Sequence, residues 1–82
     1  MVNSSLDQLK KAFVNVLGVS PDSDFESLAY GRTGGWDSVA HMALIAEIES
    51  AFDIMLPTDD VIGMSSFPKA KEIVARNGVS FA

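Results

Sequence analysis

Leu6, Leu9, Phe13, Val16 and Leu17 recur at helical spacing, and Ser5-Leu6-Asp7-Gln8 at their start reads as a capping box. Gly18 ends this first helix, and Val19 can fold back over its last turn. From Pro21 to Trp36 no period persists, which is long for a connection without structure of its own. Phe25, Leu28 and Trp36 are the apolar residues available to anchor it, and one helical turn is expected around Asp24 to Leu28. Gly31, Gly34 and Gly35 give the backbone freedom to enter the next helix at a defined angle.

A second apolar stripe, Leu44, Ile45, Ile48, Ala51 and Phe52, marks that next helix. Val39, Met42, Ala43 and Ala46 fall largely outside the stripe, so the helix is apolar on more than one side. Either it is central and buried on several faces, or it keeps one face for a partner. Pro57 restarts the chain, and Thr58-Asp59-Asp60-Val61-Ile62 is a short capped turn ended by Gly63. Ser66 caps a last helix with Pro68 in its first turn and Phe67, Ala70, Ile73 and Val74 on one face. Gly78 ends it, and Val79 to Ala82 form a short tail predicted to fray. No strand alternation or internal repeat is present. The pattern predicts an all-α fold, a small up-and-down bundle of three main helices plus one short helix, as a single domain over residues 1–82.

Composition narrows the classes open to such a bundle. With no cysteine among 82 residues, neither disulfides nor a thiolate metal site is available, and a core built from the 48% hydrophobic residues must suffice. No apolar run approaches the ~18 residues of a membrane span, and the first residues lack a secretion signal, so a cytoplasmic monomer is expected. A net charge of −5 argues against nucleic acid and favours partners with basic docking faces.

Candidate chemistry centres on Gly35-Trp36-Asp37-Ser38-Val39, where a glycine-rich loop becomes an apolar helix. Asp37 is a good N-cap, which leaves the Ser38 hydroxyl at the first helical position. Backbone N–H groups there lack intrahelical partners and lie at the positive end of the macrodipole, a setting that suits a phosphate ester. Asp-Ser alone is also an ordinary helix start.

Other readings fail on spacing. Ser38, His41 and Asp37 do not form a hydrolytic triad, because neighbours on one helix project in different directions. Asp59-Asp60 and Glu47/Glu49 lack the alternating carboxylates, glycine and closing Glu of a calcium loop, so no metal site is expected. Gly31-Arg32-Thr33-Gly34-Gly35 has no preceding strand and no following Lys-Ser/Thr pair, so it is not a nucleotide phosphate loop. Met42, Met55 and Met64 are core filler or the adaptable contacts of a surface that meets several partners.

Downstream of Ser38 the chain runs through a long helix to Glu49, Phe52-Asp53 and then Leu56-Pro57-Thr58-Asp59-Asp60. Together with the Gly and Asp-Ser ahead of it, this order and spacing resembles the acyl carrier protein family, over nearly the whole chain from Leu6 to Asn77. The resemblance implies a non-enzymatic carrier whose Ser38 is esterified with 4′-phosphopantetheine, the cofactor supplying the sulfur that the polypeptide lacks. It implies that a phosphopantetheinyl transferase reads Asp37 with Ser38 and touches Val39, where the family usually has Leu, a change worth about 1 kcal/mol. Acyl- or aminoacyl-loading and processing enzymes would dock on the second helix through Val39, Met42, Ala46 and Glu47. His41 is either a structural residue at the rim of the core or, with Ile62, a contact to the arm or its cargo.

Trp36 before Asp-Ser, and Ala40 and Ala43 where the generic fatty-acid-synthesis member has an acid, resemble a specialised stand-alone carrier. Its cargo could be a polyketide unit, an unusual fatty acid or an aminoacyl or peptidyl group. The alternative from another class is a small helical interaction module that never receives an arm.

Overall fold

The computed structural model describes residues 4–81 and is a small all-α bundle. Among the described residues four helices follow in order: α1 (Ser5–Leu17), α2 (Ser38–Phe52), α3 (Thr58–Gly63) and α4 (Phe67–Arg76). A short 3₁₀ turn, Phe25–Ser27, lies between α1 and α2, where one helical turn was expected.

Local chemistry sets most of the boundaries. α1 is capped by Ser4, whose Oγ accepts from Asp7 N at 3.0 Å, and not by Ser5 as the capping box suggested. That register puts Asp7 in the first turn, where the helix dipole favours an acid. Gly18 ends α1 in the left-handed region at φ 71°, as expected. α2 ends on Asp53 at φ 53°, with Ile54 N donating back to Glu49 O at 3.1 Å. The Glu49 carboxylate accepts from Leu56 N at 2.8 Å, so one acid ties down the whole turn into α3. α3 begins after Pro57 without any side-chain cap, contrary to the capped turn predicted there. α4 starts as expected, with Ser66 Oγ accepting from Lys69 N at 3.1 Å.

The core runs through the bundle as a relay of rings. Phe25 meets Phe67 at 5.1 Å, Phe67 meets Phe13 at 5.0 Å, and Phe13 meets Trp36 edge-on at 5.3 Å. Leu9, Leu44, Ile48, Met64, Ile73 and Val74 fill the space around them and are fully buried. Each such side chain contributes about 1.5–3 kcal/mol on leaving water, with about 0.5–1.5 kcal/mol more per aromatic pair. On α2 the buried stripe is Leu44, Ile45 and Ile48; Phe52 is half-buried and Ala51 is exposed, so the stripe stops a turn earlier than predicted. The tail also differs. Val79 and Phe81 pack on the core, and Phe81 meets Phe52 at 6.4 Å, so an apolar partner holds the segment predicted to fray; Ala82 lies outside the described residues.

The long connection before α2 is anchored by the three residues expected, Phe25, Leu28 and Trp36, all buried. It is also stitched to the start of α4. Tyr30 N donates to Ser65 O at 2.9 Å and Phe67 N to Leu28 O at 3.2 Å, forming an isolated antiparallel bridge between Ala29 and Ser66.

Candidate functional site

Ser38 owes its position to the loop that delivers it. Thr33 Oγ1 accepts from Ala29 N at 2.9 Å, Thr33 N donates to Ala29 O at 2.9 Å, and Gly31 N donates to Trp36 O at 3.1 Å. These bonds close Ala29 to Trp36 into a self-supporting turn. Gly35 at φ 87° lets it pass under α1, where a Cβ would stand 3.4 Å from Leu17 O. Gly34, by contrast, is not in the left-handed region. Trp36, 1% exposed, then plugs the core and fixes the entry to α2.

Asp37 follows in extended conformation, and its Oδ1 accepts from Ala40 N at 2.8 Å, the N-cap predicted for it. Ser38 is the first helical residue and is exposed. It stands between two concave surfaces, each of about 400 Å³. One is walled by the loop, with Tyr30, Thr33, Gly35 and Asp37. The other is a groove between α2 and α3, with Tyr30, His41, Met42, Ile62 and Met64.

His41 lines that groove and is bonded to the buried Trp36. Its Nδ1 accepts from Trp36 Nε1 at 3.0 Å, and its Nε2 lies 2.7 Å from Val61 O. Val61 O is one of the carbonyls that the C-terminal end of a helix leaves without intrahelical partners. With both ring nitrogens engaged, and Asp37 engaged as a cap, neither residue is set to activate the Ser38 hydroxyl.

Val39, Met42 and Ala46 are all exposed on α2, and Ile62 is exposed on α3 across the groove. They form an apolar strip that begins beside Ser38. Met42 and Met55 are surface residues, whereas Met64 is fully buried core. Glu47 is not part of the strip; it is half-buried and accepts from Asn15 Nδ2 of α1 at 3.2 Å. Tyr30 went unremarked in the sequence, yet it lines both concave surfaces and lies 5.3 Å from His41 and 6.3 Å from Trp36, ring to ring. Its only signal was a lone tyrosine inside an aperiodic loop. Among the described residues no cluster of three His, Asp or Glu side chains could hold a metal ion. Nor, among them, is any helix long and apolar enough to cross a membrane.

No family model, curated protein or solved structure matches the chain.

Proposed function

We propose that this chain is an acyl carrier protein that carries 4′-phosphopantetheine on Ser38 and presents it to cytoplasmic biosynthetic enzymes. The observation that carries the reading is an exposed serine at the capped start of α2, with room on both sides and an apolar strip running from it. The residues present fit such a group. Ser38 offers an accessible Oγ, the Asp37 cap fixes the direction in which it projects, and the loop surface around Thr33 and Gly35 leaves space for a phosphate. When bound, the arm supplies a terminal thiol that holds acyl groups as thioesters.

The chain's own part is attachment and presentation. Asp37 and the rigid loop orient Ser38 toward a phosphopantetheinyl transferase, and Val39, Met42, Ala46 and Ile62 give partner enzymes an apolar footing. The absence of acids at Ala40 and Ala43 shifts docking from long-range charge toward contact. Short acyl, polyketide and aminoacyl cargoes all suit this arrangement. The same exposed strip would serve a helical interaction module that is never modified, and one measurement separates the two. Protein co-expressed with a transferase of broad specificity should gain the mass of a single phosphopantetheine, and Ser38→Ala should gain none while keeping its helicity. Unmodified wild type, or a modified Ser38→Ala, overturns the carrier reading.

A further inference from the structure

Asn77 ties α3 to the end of α4 through one amide group. Its Nδ2 donates to Asp60 Oδ2 of α3 at 3.1 Å and to Ile73 O of α4 at 2.8 Å, so both amide hydrogens are used. The next residue is Gly78, whereas Asn3 precedes Ser4 and Asn15 precedes Val16. Asparagine is at its most reactive before glycine, because no side chain hinders the following backbone nitrogen from attacking the amide carbon.

We propose that Asn77-Gly78 is a modification site at which the chain deamidates itself, and that the carboxylate so formed releases α3, one wall of the groove beside Ser38, from the end of α4. Release of this kind is independent of whether Ser38 carries an arm. In the reaction the Gly78 nitrogen bonds to Asn77 Cγ and gives up its proton, and the Cγ–Nδ2 bond breaks to release ammonia and leave a cyclic succinimide. Water, the only co-reactant, then opens the ring at either carbonyl. The product is aspartate, or isoaspartate with the main chain routed through the side-chain carbons.

The folded chain holds this reaction back. Asn77 has ψ 18°, which nearly eclipses the Gly78 nitrogen with that of Asn77 and turns it away from Cβ, whereas ring closure needs it on the side of Cβ. The Gly78 N–H is also committed to Ala75 O at 3.1 Å, and the leaving amide is held by its two acceptors. Gly78 itself is exposed, so water reaches the bond whenever this end of the bundle opens.

Once formed, the carboxylate cannot rejoin the tie. An ionised carboxyl only accepts, and it stands where Asp60 Oδ2 and Ile73 O also accept. It lies at the negative end of the α4 dipole, where an acid is unfavourable. The nearby cation, Arg76, is already shared between Asp60 at 2.6 Å and Glu72 at 3.9 Å. Isoaspartate in addition inserts a methylene into the main chain, which displaces a tail whose Val79 N donates to Val74 O and whose Phe81 packs on Phe52.

The intact protein is kept in mildly alkaline buffer, sampled over time, digested and weighed. Asn77 should take the amide-to-acid mass change and Asn15, inside α1, should not; an isoaspartyl carboxyl methyltransferase should methylate the β-linked fraction. In Asp60→Ala the conversion should run about fivefold faster, the rise in open population that loss of one such tie brings. Asn77→Asp supplies the direct product at once. Its α3 amides should exchange faster than those of Asn77→Ala, which loses the tie but gains no charge, while Ile73 and Val74 of α4 keep their protection. Asp60→Asn in the Asn77→Asp background exchanges amide and acid and should recover part of the α3 protection. Aged wild type, separated from fresh protein by its extra charge, gives the same comparison if Asn77→Asp folds poorly. No conversion of Asn77, one rate in wild type and Asp60→Ala, equal α3 exchange in Asn77→Asp and Asn77→Ala, or no recovery in the double variant overturns the proposal.

Discussion

α4 buries Phe67, Ala70, Ile73 and Val74 completely and starts on the hydroxyl of Ser66, whereas its neighbour α3 buries none of its six residues and starts on Pro57 without a side-chain cap. What holds α3 is one half-buried side chain, Val61, packed on the core, together with a set of polar ties. Val61 O is bonded by His41 on one side, and on the other the Asp60 carboxylate meets Arg76 Nη2 at 2.6 Å and Asn77 Nδ2 at 3.1 Å. A helix held by apolar area moves only if the core opens. One held by a few hydrogen bonds can shift while the core stays closed, and α3 forms one wall of the groove beside Ser38.

The sharpest test of this contrast is truncation of an isoleucine in each helix. Ile73→Ala in α4 leaves a cavity among fully buried neighbours and should cost about 2–5 kcal/mol, a large part of the stability of so small a domain. Ile62→Ala in α3, at a side chain 76% exposed, should stay within about 0.5 kcal/mol. Denaturant unfolding of both variants checks the pair, and similar losses would erase the distinction.

A smaller effect is expected from Asp60→Ala. Arg76 is more than half exposed, so its ion pair is screened, and Asn77 Nδ2 keeps its bond to Ile73 O at 2.8 Å. The expected cost is about 1 kcal/mol. Hydrogen exchange should show it as faster exchange in α3 with α4 unchanged. Uniform acceleration across both helices would mean that α3 is part of the same cooperative unit.

Salt should act least and in two directions. Raising ionic strength to about 0.15 M screens the repulsion among eleven acids opposed by six bases, so the melting temperature should rise slightly. The same screening weakens the Arg76–Asp60 tie, so exchange in α3 should quicken as the melting temperature rises. A melting temperature indifferent to salt would remove net charge from the account.

The residues held by area were legible in the sequence, and those held by single polar ties to distant positions were not. Periodicity located α1, α2 and α4 and the anchors Phe25, Leu28 and Trp36, because burial follows helical spacing and large apolar side chains in a loop have few other uses. Ser38 and its Asp37 cap were likewise local, set by three consecutive residues. The bonds of His41 span five and twenty positions, and Glu49 reaches seven residues ahead to Leu56 N, so no local pattern encodes them. Glu47 illustrates the same limit. Its place on α2 could be read from spacing, but its turn toward Asn15 depends on where α1 packs. The ordered tail was missed because Phe81 gains its partner, Phe52, only in the folded chain.

The rung between Ala29 and Ser66 has a consequence for how this fold tolerates change. By joining the two ends of the segment that contains α2 and α3, it turns that segment into a closed loop whose neck is fixed independently of its length. Closing such a loop costs entropy that grows only logarithmically, about 0.6 kcal/mol for each doubling. Residues added at the exposed turn around Met55 therefore lengthen the lobe without shifting its neck, and the entry of the chain into α2 at Ser38 keeps its geometry.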